Sequence, residues 1–162
     1  MSLSHEKHLE NLLFRYAELI DSGDFEAIAT LFSRAALVIP QRDAVIEGYD
    51  AILGMYSHST RRYVESAEND FGTPLTRHVV SNVILNIDRE KKTASARSSY
   101  TVFQATSELA LQPIIIGRYR DEFRCESDIT ENDTDTSAVN PWYFSRREIY
   151  IDLEGNLAHH LF

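Results

Sequence analysis

Asp21 and His78 are the two residues on which chemistry is most readily built. Asp21 stands at the edge of an apolar stripe, Leu9, Leu12, Leu13, Tyr16, Ala17 and Ile20, whose three-and-four spacing marks one face of a helix. His78 stands near the start of a strand, where alternation puts it on one face with Val80, Asn82 and Ile84. If both side chains turn inward, the carboxylate fixes one imidazole tautomer and stabilises the charged ring. The other ring nitrogen can then take a proton from a substrate carbon or oxygen. A plain structural reading stands beside this one. Asp21 can simply terminate its helix, and His78 can be a satisfied polar group near a strand end.

Arg147 is the third candidate. Strand parity places it with Tyr143, Ser145, Ile149 and Ile151, and puts Arg146 with Trp142, Phe144, Glu148 and Tyr150. An arginine among isoleucines loses water and needs an anionic partner. That partner is either a structural carboxylate, Asp21 or Asp121, or the leaving group or oxygen of a substrate. Tyr16, Tyr100 and Tyr119 carry phenols that can polarise a carbonyl, or serve as core residues with a wet tip. Tyr16, Tyr119, Arg147 and Asn82 are therefore the candidate substrate-binding residues. Adjacent His159 and His160 would point to opposite faces of a strand and make a poor chelate, and His5, His8 and His58 stand apart. With no His/Cys/Asp cluster at ligand spacing, no glycine-rich phosphate loop and no Gly-x-Ser-x-Gly turn, no metal or other cofactor is expected.

The elements that must position these residues follow from periodicity. A first helix runs to Ser22-Gly23, and Asp24 caps a second that carries Phe25, Ile28, Leu31 and Phe32. A short strand Ala36–Ile39 stops at Pro40, and a turn at Glu47-Gly48 opens a third helix, Tyr49–Ser59. Residues 65–76 read as loop. The period then changes to two over Thr76–Asp88, Thr93–Gln104, Gln112–Arg124 and Trp142–Asp152. Asp128–Asn140 is acidic and poor in apolar residues, and is expected as a long hairpin loop. Helices followed by hairpin-linked strands imply a single α+β domain over residues 1–162, with the helices on one face of an antiparallel sheet.

Composition limits the function classes. The chain has 162 residues, 43% of them hydrophobic and 25% charged, the balance of a globular domain. A net charge of −9 without a dense basic cluster argues against nucleic acid. No apolar run approaches a membrane span, so no membrane partner is expected. A lone cysteine, Cys125, and a polar N-terminus without a secretory pattern suggest the cytoplasm.

Several local patterns resemble the SnoaL-like families of the NTF2-like superfamily. They are Tyr16-Ala-Glu-Leu-Ile-Asp21-Ser-Gly-Asp24, Leu31-Phe32, Gly48, Arg77-His78-Val-Val-Ser-Asn82, Gly117-Arg-Tyr-Arg-Asp-Glu-Phe123 and Trp142-Tyr-Phe-Ser-Arg-Arg147. The resemblance implies an NTF2-like (cystatin-like) cone: a strongly bent antiparallel sheet with three N-terminal helices enclosing a pocket. It also implies a homo-oligomer, dimer or trimer, packed through sheet surfaces, for which Trp142, Phe144 and Tyr150 offer an aromatic face. Among relatives of known chemistry, scytalone dehydratase and hexachlorocyclohexane dehydrochlorinase use an Asp–His pair for cofactor-free elimination. The pair falls on Asp21 and His78, the dehydrochlorinase's pocket arginine on Arg147, and a polar first-helix position on Tyr16. No histidine in Thr93–Gln104 matches the second histidine of scytalone dehydratase. The acidic segment and the C-terminal tail look more like the SnoaL-type relatives near the β subunits of aromatic-ring dioxygenases, subunits that share the fold and are largely structural. The expected function is thus a lyase or isomerase acting on a cyclic apolar small molecule. The alternative is a non-catalytic binding module or an oxygenase partner subunit.

Overall fold

The computed structural model describes residues 3–64, 69–126 and 140–162. Helix α1, His5–Ser22, begins where the Ser4 hydroxyl accepts from the Lys7 amide at 3.3 Å. It ends at Gly23, whose φ of 77° lets its amide and that of Asp24 return to the carbonyls of Ile20 and Leu19. A side chain at Gly23 would also strike the Gly72 carbonyl, 2.3 Å from where a Cβ would stand. Asp24 caps helix α2, Phe25–Leu31, by accepting from the Ala27 amide at 3.0 Å. Strand β1, Ala36–Ile39, leads through a 3-10 turn at Pro40–Arg42 into strand β2, Ala44–Glu47, and then helix α3, Tyr49–Ser59. The long strands are β3 (Thr76–Asp88), β4 (Thr93–Gln104), β5 (Gln112–Cys125) and β6 (Trp142–Glu154). Strand β2 has only four residues and none of them is fully buried, so its sequence reads as the approach to a turn.

The strands form one sheet in the order β2-β1-β6-β5-β4-β3. Two features correct the expected cone. The sheet is mixed, because β1 runs parallel to β6 while every other pairing is antiparallel. It is also neither strongly curled nor closed: β2 and β3 are its two edges and do not meet. Closure needs the outermost strands to bond to each other, and a four-residue β2 at one end faces nothing that could do so. The long connection expected at Asp128–Asn140 lies, apart from Asn140, outside the described residues.

Bulges decide which residues face the helices. In β3 the register slips between Ser81 and Ile84, inserting one residue relative to β4. Before the slip, Thr76, His78 and Val80 turn toward the helices; after it, Val83, Leu85 and Ile87 do. In β6 the register slips again where Phe123 of β5 meets Phe144 and Glu122 meets Arg146, leaving Ser145 as the extra residue. Trp142 and Phe144 are consequently core residues, 2% and 0% exposed, on the same side as Arg147. They do not form the outward aromatic face that uninterrupted parity puts there. Leu9, Leu13 and Ile28 seal this layer at 0% exposure, each contributing about 1.5–3 kcal/mol by leaving water.

Candidate functional site

Asp21 occupies the last turn of α1, and β3 begins beside it. Its Oδ1 lies 2.6 Å from His78 Nδ1 and accepts from the Thr76 hydroxyl at 2.9 Å, while Oδ2 accepts from the His78 amide at 2.8 Å. Both side chains are 6% exposed. A carboxylate oxygen accepts, so in a neutral imidazole this geometry puts the ring proton on Nδ1 and the lone pair on Nε2. No described residue bonds Nε2. The last turn of one helix and the first residues of one strand therefore lock a single imidazole orientation.

His78 forms part of the wall of a cavity of about 120 Å³. Ile20, Met55, Val102, Ile115, Ile149 and Ile151 supply its aliphatic surface, and Tyr16, Tyr56, Tyr100 and Tyr119 its aromatic surface. Tyr100 and Tyr119 stack at 4.2 Å and 9° between ring planes, and Tyr16 stands edge-on to Tyr119 and to His78. The stack needs Gly117: a Cβ there would lie 2.7 Å from the Tyr100 ring and 2.0 Å from the Tyr150 carbonyl. Tyr100 donates to that same carbonyl at 3.1 Å. The hydroxyls of Tyr16 and Tyr56 are 3.0 Å apart and bonded to each other. Burial raises the phenol pKa of all four above the usual value, so they are neutral donors. A larger hollow, about 430 Å³, lies between Asn86, Thr93, Glu122 and Ser145, away from every candidate residue. The smaller cavity is the better candidate, because apolar walls with a few convergent polar groups are what small-molecule sites are made of.

The candidates separate at this point. Tyr16 and Tyr119 line the cavity with His78, but Arg147 does not. Its guanidinium is fully buried behind the tyrosines, 4.6 Å from the Tyr16 ring centre and 4.2 Å from that of Tyr119. Nε and Nη2 grip both oxygens of Asp121 at 2.6 and 3.0 Å. Burial opposes its charge, but the Asp121 carboxylate outweighs this and holds the guanidinium pKa above its ordinary value. Burial also pushes the Asp121 carboxyl up, against the pull of Arg147. The bidentate geometry is that of an ion pair. Asn82 is exposed on the β3 bulge at φ 53° and joins Arg97, Arg118 and Arg120 on the outer sheet surface.

One cavity residue escapes strand parity. His160, in the turn after β6, is 6% exposed and lines the same cavity as His78. Its pKa is lowered to about 4 by burial and by the neighbouring His78, with Asp21 acting in the opposite direction. The adjacent histidines were the available signal, but in a turn they do not alternate as they would on a strand. Among the described residues no group of three or more His, Cys, Asp or Glu could hold a metal ion, and no helix is long and apolar enough to cross a membrane.

Solved structures of similar architecture exist. An NTF2-like protein with a cystatin-like fold from Novosphingobium aromaticivorans superposes with a TM-score of 0.64 at 22% identity, covering 96% of this chain and 86% of its own. A protein from the same organism, provisionally called a scytalone dehydratase, gives 0.62 at 20% identity, over 93% and 85%. The β subunit of a provisionally assigned aromatic-ring-hydroxylating dioxygenase, also from that organism, gives 0.60 at 16%, over 92% and 90%. At these identities the likeness is one of fold. No curated protein matches the chain. The model of the SnoaL-like domain matches residues 1–148, and the chain is a member of that family within the NTF2-like superfamily.

Proposed function

We propose that the protein is a cofactor-independent lyase or isomerase acting on a cyclic, largely apolar small molecule. The observation that carries this reading is the 2.6 Å Asp21–His78 bond at the wall of an apolar cavity, with Nε2 unengaged. His78 Nε2 removes a proton from the substrate, and Asp21 holds the tautomer and stabilises the imidazolium that results. The neutral Tyr16–Tyr56 hydroxyl pair offers hydrogen bonds to the oxygen or leaving group that gains negative charge. The same imidazole then returns the proton, to the departing group in an elimination or to another carbon in an isomerisation. Arg147 serves this arrangement from behind, as the cation on which the Tyr16 and Tyr119 rings rest.

Screening cyclic alcohols, ketones and halides for turnover supplies the test substrate. His78→Ala is expected to lower its turnover by about 10²-fold or more. Turnover within a few-fold of the unsubstituted protein removes the base mechanism and leaves the cavity as a binding site without chemistry.

A further inference from the structure

The cavity contains an imidazole that the proposed chemistry does not use. His160 lies beyond residues 1–148, which carry the family match. Its position is set by a dense set of backbone clamps. Tyr63 Oη and Gln104 Nε2 donate to the His159 carbonyl at 2.7 and 2.9 Å. The Arg61 amide donates to the His160 carbonyl at 2.8 Å, and Arg61 Nε to the Leu161 carbonyl at 2.8 Å. Consecutive carbonyls of the tail are thus held by the connection after α3 and by β4, with the His160 ring turned into the cavity wall.

The ring is poorly served by the protein itself. Among the described residues no hydrogen bond satisfies either ring nitrogen, and Nδ1 is sealed from solvent. A buried polar group without a partner is costly, and cavity walls are where such groups find one in a ligand. A neutral imidazole offers one donor and one acceptor, which suits a hydroxyl. The volume of about 120 Å³ is close to that of apolar cavities, about 150 Å³, that take up a benzene ring.

We propose that His160 is a second polar anchor of this cavity, hydrogen-bonding a hydroxyl on a six-membered-ring ligand and so setting which ring atom meets His78 Nε2. This rests on the cavity being a ligand site, as the proposed function requires. His160 acts by positioning, and His78 remains the base.

Phenol and benzene are the probes, since they differ only by the hydroxyl. Binding is followed on the full chain by the nitrogen-15 resonances of the histidine rings, with an amide spectrum of each variant to establish folding. Phenol is expected to bind about fivefold more tightly than benzene, the effect of one neutral hydrogen bond, and to shift the His160 ring nitrogens. His160→Leu should abolish that preference, and His160→Gln, which retains a donor and an acceptor, should keep most of it. Equal binding of the two rings, or a phenol response confined to His78, overturns the role of His160 and leaves the ligand cavity standing. If neither ring binds, the cavity reading itself falls and takes this proposal with it. Should the leucine variant not fold, the glutamine variant and the ring shifts of the unsubstituted protein decide alone.

Discussion

Two buried acid–base pairs sit within one aromatic cluster, and they are built differently. Arg147 and Asp121, adjacent on β6 and β5, are both 0% exposed and use two parallel bonds. Asp21 and His78 join a helix end to a strand start and keep a slight exposure of 6% each. The first pair turns inward and ends in rings: Tyr16, Phe32, Tyr119 and Phe144 surround the guanidinium. The second turns one nitrogen toward a cavity. The difference separates an ion pair closed in by rings from a pair that shares the wall of a cavity.

The largest effect should come from breaking the sealed pair. Arg147→Met leaves the Asp121 carboxyl buried without its cation and is expected to cost about 3–5 kcal/mol of stability, measured by urea unfolding. Adding Asp121→Leu removes the stranded group and should recover most of the loss. A double variant as unstable as the single one would mean that the guanidinium acts through its ring contacts rather than its charge.

The same pairs show what the sequence makes legible. Helix α1, its glycine stop and the Asp24 cap are local, so stripe spacing and cap chemistry reveal them. The position of Asp21 at the end of that stripe comes with them. Faces on the long strands are legible only as far as the first bulge. His78 precedes the slip in β3 and faces as alternation demands; Asn82, at the slip, does not. In β6 the extra residue at Ser145 puts Trp142 and Phe144 in the core with Arg147, against simple parity. A bulge depends on the partner strand's register, which a single sequence does not display. His160 is hidden for a different reason, since its place depends on clamps from residues far along the chain, such as Gln104.

The next effect concerns the pH response of the cavity side. The His160 pKa falls from 6.5 to about 4 on folding, because burial and His78 disfavour its charge. Between those values the unfolded chain holds a proton that the folded chain does not. The contribution of His160 is therefore fully present above about pH 6.5, is lost as the pH falls toward about 4, and changes no further below that. Its amplitude is at most about 3 kcal/mol. Unfolding free energies at pH about 7.5 and about 4.5 should differ by less in His160→Leu than in the unsubstituted protein. Equal differences would mean that the ring is not held neutral by its surroundings.

The last effect is small in stability and large in chemistry, and it sharpens the comparison most directly. Asp21→Asn keeps one uncharged oxygen, and where that oxygen accepts from the His78 amide the NH2 faces Nδ1 and drives the ring proton onto Nε2. Because the pair retains some exposure and its backbone bonds in part survive, the stability loss should stay near about 1–2 kcal/mol, well below that of Arg147→Met. Loss of the fixed tautomer and of charge stabilisation should nevertheless lower turnover of any identified substrate by about 10²-fold or more. Urea unfolding and steady-state rates on the same sample separate the two quantities. A stability loss that matches Arg147→Met, with turnover near that of the unsubstituted protein, would make Asp21–His78 a second structural pair. A modest stability loss with a collapsed rate would leave the contrast between the two pairs as a division of labour: one holds the aromatic floor, and the other works above it.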